Sequence, residues 1–279
     1  MTFFKAKGQP DPMEAGAHKQ PGHGYRAYGR DWGPPVVTFV LVLILWEGAV
    51  RLLDIASYLL PAPSAIAGQL SASGPSLLSI GWYTFQEALF GFLLGCSLGV
   101  VAAVASVRWR WMATGLLPFG VASNAVPIIA LAPLVGVWFG STQQTSKIVI
   151  VAIMTFFPTL INTYRGLISP TPAALELMRS YAATPAEVFM KLRLPAALPF
   201  LFNALKICTT LSLIGAVVSE FFGGPLRALG VYIISQSTIG HYVEAWSAIV
   251  VACVLGIGFY LVVVMAERLA MPWHVSHRQ

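Results

Sequence analysis

Six long apolar stretches dominate this 279-residue chain and limit the folds that it can adopt. They cover about 36–53, 80–107, 112–139, 148–168, 196–222 and 245–266. A helix needs about 20 apolar residues to cross the ~30 Å hydrocarbon core of a bilayer. Only 10 % of the residues are charged, whereas about a quarter are charged in an ordinary soluble domain. The sequence therefore predicts an all-α, polytopic membrane protein with six transmembrane helices.

The basic residues are distributed unevenly among the loops that these spans define. Most of the 17 Lys and Arg residues lie before span one, after span two, between spans four and five, and after span six, all on one side. The positive-inside rule places that side, with both termini, in the cytoplasm. Arg51, Lys147 and Arg227 fall on the opposite side. The net charge of +6 thus follows the topology, and nucleic-acid binding is not favoured.

Composition divides the chain into a membrane domain and two tails. Residues 1–35 are polar and rich in Gly and Pro, and we expect a mostly disordered cytoplasmic tail there. Residues 36–270 form the predicted transmembrane domain, and 271–279 a cytoplasmic C-terminal tail.

Catalytic and metal-binding patterns are missing from the sequence. The three cysteines lie far apart without metal-ligand spacing, and the histidines lie in the tails or a loop. We therefore expect no metal, no cofactor and no enzymatic activity. The chain also has no GxxxxGK[ST] phosphate-binding loop. If it transports a solute, the energy comes from a partner or an ion gradient.

The segment between spans four and five contains two helix-start signals. Thr171-Pro172 pairs an N-cap with proline at the first helical position. Thr184-Pro185-Ala186-Glu187 repeats this pair and adds the glutamate of a capping box. Leu175, Met178 and Ala182 are spaced to share one helix face. We predict two short helices with defined ends, the second ending at Pro195, which either pack on themselves or contact a cytoplasmic partner.

This segment resembles the cytoplasmic loop of ABC importer permeases, whose pattern is E-A-A-x-x-x-G, a spacer and I-x-L-P. The positions that match are Glu176, Arg179, Ser180, Ala183, Thr184, Leu194 and Pro195. Leu177 and Met178 replace the two alanines, Ala182 replaces the glycine, and Leu192 replaces the isoleucine. The substituted glycine matters most, because glycine permits a turn between the helices that alanine makes harder.

Three further stretches, 123–140, 156–167 and 213–224, extend the resemblance over about residues 36–270. Together they look like permeases of the nitrate/sulfonate/taurine importer family, which includes transporters of thiamine-pyrimidine and riboflavin-type compounds. The resemblance implies a type I importer fold in the inner membrane, usually a homodimer around a central path. It also implies cytoplasmic ATPase subunits and an external substrate-binding protein. The resemblance allows two classes of transported substrate: a nitrate-, sulfonate- or taurine-like anion, or a pyrimidine or vitamin precursor.

The resemblance also implies a docking function for the loop at 169–195. The residues expected to contact the ATPase are Glu176, Arg179, Ser180, Ala182, Ala183, Thr184, Leu194 and Pro195.

Polar residues and prolines inside the spans are candidates for the transport path. Pro118, Pro127 and Pro133 interrupt the third stretch, so its helical part should be shorter or kinked. Irregular backbone at membrane depth is tolerated where it lines a cavity, which makes Asn124, Pro127 and Pro133 candidate lining residues; interhelical contacts are the alternative for the asparagine. Lys206 lies near mid-bilayer and either faces the path or pairs with a carboxylate to hold helices together.

The spans also contain three carboxylates and a stripe of glycines. Glu47, Glu87 and Glu220 are carboxylates within the spans. Gly91, Gly95 and Gly99 form a small-residue stripe in span two that predicts close helix packing.

Two other functional classes are compatible with a polytopic membrane protein. An ion-coupled secondary transporter would show paired broken helices in inverted repeats, and the chain has one proline-broken span without a matching second. A membrane enzyme would need a catalytic constellation, which the histidine positions do not provide.

Overall fold

The computed structural model describes residues 33–123 and 127–272, which form helices joined by turns and loops, with no strand among them. In chain order the α-helices are α1 (Gly33–Leu52), α2 (Pro63–Arg108), α3 (Arg110–Ser123), α4 (Ala132–Phe139), α5 (Gln144–Leu167), α6 (Pro172–Ser180), α7 (Pro185–Val188), α8 (Leu194–Glu220), α9 (Leu229–Thr238) and α10 (Tyr242–Ala270). Nearly all of the predicted N-terminal tail, and most of the C-terminal one, lie outside the described residues.

Five helical stretches in the described part of the chain are long and apolar enough to cross a membrane. They are α1, α2, α5, α10 and the continuous stretch Pro185–Glu220. The third predicted span is broken, as its prolines predict. It divides into α3, a 3₁₀ turn (Ile128–Leu131) and α4, and Pro127 precedes the 3₁₀ turn.

The core forms where α2, α5 and α8 pack together. The predicted glycine stripe of α2 faces α5, which confirms the packing role. A Cβ atom built on Gly91 would lie 2.4 Å from the Val151 Cβ, and one on Gly95 would lie 2.2 Å from the Thr155 Oγ1. Because no side chain fits in that space, glycine lets the two backbones approach closely.

The prediction that the second loop helix ends at Pro195 is wrong. A π-helical segment (Phe189–Arg193) joins α7 to α8, so the helix runs without interruption from Pro185 to Glu220. Pro195 has no N–H and cannot continue the regular i→i−4 pattern. The Leu194 N–H instead bonds the Phe189 carbonyl, five residues back, and this wider turn carries the helix into the proline.

Candidate functional site

The loop predicted to dock an ATPase begins at Thr171. Its hydroxyl accepts a hydrogen bond from the Ala174 backbone N–H at 3.3 Å, and Pro172 holds the first helical position of α6. Proline loses no hydrogen bond there, because the first N–H groups of a helix have no intrahelical acceptor. The predicted cap is confirmed.

The C-terminus of α6 turns at Ala182, which has a φ of +50°. The Ala182 N–H bonds the Arg179 carbonyl at 2.9 Å, and the Ala183 N–H bonds the Met178 carbonyl at 3.0 Å. This pair of bonds is the Schellman arrangement, in which glycine usually holds the left-handed position. The predicted sharing of one helix face by Leu175, Met178 and Ala182 is therefore wrong for Ala182, which lies beyond the helix end.

The second start signal forms the predicted capping box. The Glu187 N–H donates to the Thr184 Oγ1 at 3.3 Å, and the Thr184 N–H donates to the Glu187 Oε2 at 2.9 Å. The Lys191 Nζ contacts the same carboxylate at 2.9 Å. The Thr184 N–H, followed by Lys191, lowers the pKa of Glu187 from 4.5 to about 2. The stabilisation that the ionised Glu187 carboxylate gives to the helix start is therefore fully present above pH 4.5. It is lost as the pH falls toward 2.

The loop presents several of the predicted docking residues to solvent. Those exposed are Glu176, Arg179, Ser180, Ala182 and Thr184, whereas Ala183, Leu194 and Pro195 are partly buried. Two larger side chains that we did not predict as docking residues are also exposed, Leu177 at 57 % and Tyr181 at 77 %. The signal for Tyr181 was its aromatic ring in a short polar segment, since exposed aromatic residues often anchor interfaces.

A cleft of about 660 Å³ lies between this loop and the end of α2. Arg108, Arg179 and Arg193 line it together with apolar side chains that include Leu175 and Phe189. Phe189 also packs against the core cluster of Ala103, Leu160, Leu167 and Ala197, so the loop contacts the membrane domain beside the three guanidinium groups of the cleft.

Lys206 in α8 pairs with a carboxylate of α10. Its Nζ lies 2.9 Å from Glu267 Oε2 and 3.1 Å from Oε1. The two side chains are 23 % and 14 % exposed. This geometry is the pairing that the second hypothesis for Lys206 describes, and it ties two spanning helices together.

The candidate path residues in the broken third stretch are only partly described. Asn124 lies outside the described residues. Pro127 precedes the 3₁₀ turn and Pro133 lies in the first turn of α4, and both are exposed.

A second polar cluster lies at the end of the bundle away from the loop. It contains Glu87 and Glu220, which are 0 % and 1 % exposed, and Lys147, which is 3 % exposed. Lys147 is in the first turn of α5, and its Nζ donates to the carbonyl of Ser141, six residues before it.

Comparison with known proteins assigns this architecture. Residues 95–270, more than half of the chain, match a family described as the binding-protein-dependent transport system inner membrane component. The chain belongs to this family. It is therefore a permease of an ABC importer, a multi-pass inner-membrane protein and not an enzyme, which confirms the predicted class and sets aside the ion-coupled alternative. Its class works with an ATPase and a binding protein.

Two curated relatives match this permease over most of their length. The riboflavin transport system permease protein RibX of Chloroflexus aurantiacus is 30 % identical, over 86 % of this chain and 90 % of RibX. The formylaminopyrimidine transport permease protein ThiX of Halalkalibacterium halodurans is also 30 % identical, over 86 % of this chain and 95 % of ThiX.

A solved structure supports the fold. The MetNI methionine ABC transporter in an inward-facing conformation matches with a TM-score of 0.52 at 21 % identity, over 72 % of this chain and 95 % of that chain. The predicted type I importer permease fold is confirmed.

Proposed function

We propose that this permease docks its ATPase through the loop at 169–195. The observation that carries the proposal is the construction of that loop. The Thr171 cap and the Schellman turn hold the two ends of α6, and the Thr184 capping box begins α7 directly after it. Its exposed side chains include Glu176, Leu177 and Tyr181, which combine a charge with apolar area, as a stable interface requires.

Charge changes in α6 and in the turn that follows it test the docking assignment. Glu176→Arg combined with Ala182→Glu should release the ATPase during purification and abolish ATP-driven uptake, while the permease still inserts and folds. Asp54→Arg is the matched control, because Asp54 is an exposed acid in the turn after α1 and not in this loop. Retention of the ATPase by the double variant would refute the assignment.

We further propose that two copies pair around a central path. One copy leaves large apolar side chains of the short helix α4 exposed, with Val137 at 82 % and Trp138 at 72 %. A second copy or lipid would remove this area from contact with water. Native mass spectrometry of the complex in lipid nanodiscs should give two permease chains for every two ATPase chains; a single permease chain would overturn this pairing.

We propose Asn124, Pro127, Pro133 and Lys206 as residues near that path. The prolines support this assignment because they interrupt the helix and free backbone carbonyls. Substrate-protection of single cysteines placed at 127 and 133 tests them, with Cys253 first replaced because it is exposed. Equal labelling with and without turnover would remove these positions from the path.

We propose that both termini and the two tails lie in the cytoplasm. The excess of Lys and Arg on their side supports this orientation. Membrane-impermeant thiol labelling of a cysteine at position 54 in intact cells, but not of one added at either terminus, is the expected result. Labelling at the termini and not at position 54 would show that the termini lie outside the cell and would refute this orientation.

For the cargo we propose a planar heteroaromatic vitamin or vitamin precursor in place of a sulfonate-like anion. This choice rests on the names of RibX and ThiX, each 30 % identical over 86 % of this chain. Uptake into proteoliposomes that contain the whole importer should occur with riboflavin or a formylaminopyrimidine and not with taurine. Uptake of taurine alone would contradict the choice.

A further inference from the structure

A buried polar cluster joins four helices at the end of the bundle opposite the docking loop. It brings together Thr84 and Glu87 of α2, Lys147 of α5 and Glu220 of α8. Each of these side chains is at most 3 % exposed. The N-terminus of α9 completes the cluster through its backbone.

Glu220 has the hydrogen-bond partners of an ionised carboxylate. The Thr84 hydroxyl donates to its Oε1 at 2.7 Å, and the Gly230 N–H donates to its Oε2 at 2.6 Å. The Thr84 oxygen in turn accepts from the Leu229 N–H at 2.8 Å, so its hydroxyl proton is committed to Glu220. Two donors on one carboxylate stabilise its charged form.

Glu87 has the opposite surroundings. It is 0 % exposed, and neither of its carboxylate oxygens has a hydrogen-bond partner among the described residues. It lies against Glu220 and within range of Lys147. The Lys147 Nζ itself donates to the Ser141 carbonyl and to the Ser146 Oγ. Glu87 therefore approaches a second carboxylate without a donor of its own.

The charges of the cluster do not balance. Two carboxylates and one ammonium leave one negative charge buried, and an uncompensated buried charge is strongly destabilising. Arg227 is the next cation, but it is exposed and lies over the Tyr83 ring, 4.9 Å from its centroid. The cluster therefore needs one further positive charge at Glu87.

We infer that Glu87 and Glu220 form a proton-binding site that holds one proton between them, carried by Glu87 and donated toward Glu220. The proton removes the like-charge repulsion and gives Glu87 a hydrogen bond. Glu220 stays ionised opposite Lys147, and the whole cluster is then neutral. The shared proton thus links α2 to α8. The Gly230 and Leu229 N–H groups connect the same cluster to α9.

Infrared spectroscopy of the full-length permease in nanodiscs tests the site directly. At neutral pH we expect a carbonyl stretching band of one protonated carboxylic acid per chain, which shifts when the glutamates are labelled with ¹³C. This comparison needs only the wild-type chain, so it does not depend on any variant that folds poorly. A spectrum without such a band would overturn the inference.

Two variants locate the proton. Glu87→Gln and Glu220→Gln should each abolish the band, because the one carboxylate left can ionise beside Lys147. Survival of the band in either variant would mean that the proton is not shared, and would overturn the assignment. The Glu87→Gln protein should keep the wild-type melting temperature, since glutamine resembles a protonated glutamate, whereas Glu220→Gln should melt lower.

A metal ion is the competing ligand for the same position. We expect each protein, wild type and Glu87→Gln, to have the same melting temperature in sodium chloride as in choline chloride at equal ionic strength. Stabilisation of the wild type alone by sodium would identify a cation in place of the proton and refute the inference. Docking of the ATPase plays no part in these readouts.

Discussion

Replacement of Ala182 by glycine should stabilise the docking loop. Ala182 holds the left-handed position of the turn that ends α6, with a φ of +50°. That conformation costs a residue with a Cβ about 1–2 kcal/mol. Glycine avoids this cost but loses about 0.4–1 kcal/mol through the greater freedom of the unfolded chain. The balance favours glycine by roughly 0.5–1 kcal/mol.

Hydrogen exchange measures this difference where it arises. The Ala182 and Ala183 amides donate to the Arg179 and Met178 carbonyls, so both exchange only when the turn opens. Since about 1.4 kcal/mol corresponds to a tenfold change, Ala182→Gly should slow exchange across the turn about two- to five-fold.

A matched substitution in the next helix gives the opposite sign. Ala186 lies within α7, where glycine is unfavourable by about 0.5–1 kcal/mol, so Ala186→Gly should speed exchange at the start of α7. Unchanged or faster exchange in Ala182→Gly would refute the argument from backbone strain. It would mean that the alanine turn is relaxed by contacts other than its own dihedral angles.

Three further predictions concern packing, charge and capping. Gly95→Ala should destabilise the permease by about 1–3 kcal/mol in thermal melting, because its Cβ would overlap α5. Gly74→Ala in the same helix meets nothing within 4 Å and should be neutral or stabilising; equal effects would contradict the packing role. Lys206→Met should cost roughly 1–3 kcal/mol by leaving Glu267 without its partner, and adding Glu267→Gln should restore much of that loss; no restoration would mean that the pair is not the cause. Thr184→Ala should lose about 1 kcal/mol of local helix stability by hydrogen exchange, whereas Thr184→Ser should not, and equal behaviour of the two would argue against the capping box.

Local signals in the sequence were sufficient where the physics is local. The cap at Thr171 and the box at Thr184 depend on residues within three positions, so both could be predicted without tertiary information. The glycine stripe of α2 was predictable for a similar reason, because helix periodicity alone aligns its members.

Features that depend on distant contacts could not be predicted in the same way. For Lys147 the sequence predicted only its side of the membrane, whereas the fold places it near carboxylates from two other helices. Pro195 reads as a helix end, but a single wide turn before it lets the helix continue. The partner of Lys206 is 61 residues away in the sequence, and no pattern in either helix indicates the pair.

The continuous helix from Pro185 to Glu220 connects the loop at 169–195 with the buried polar cluster around Glu220. It spans 36 residues, or roughly 54 Å at 1.5 Å per residue, and begins at the capping box in the docking loop. It ends at Glu220, which contacts Thr84 and Gly230. One continuous helix therefore joins the loop at 169–195 directly to the buried cluster of Thr84, Glu87, Lys147 and Glu220.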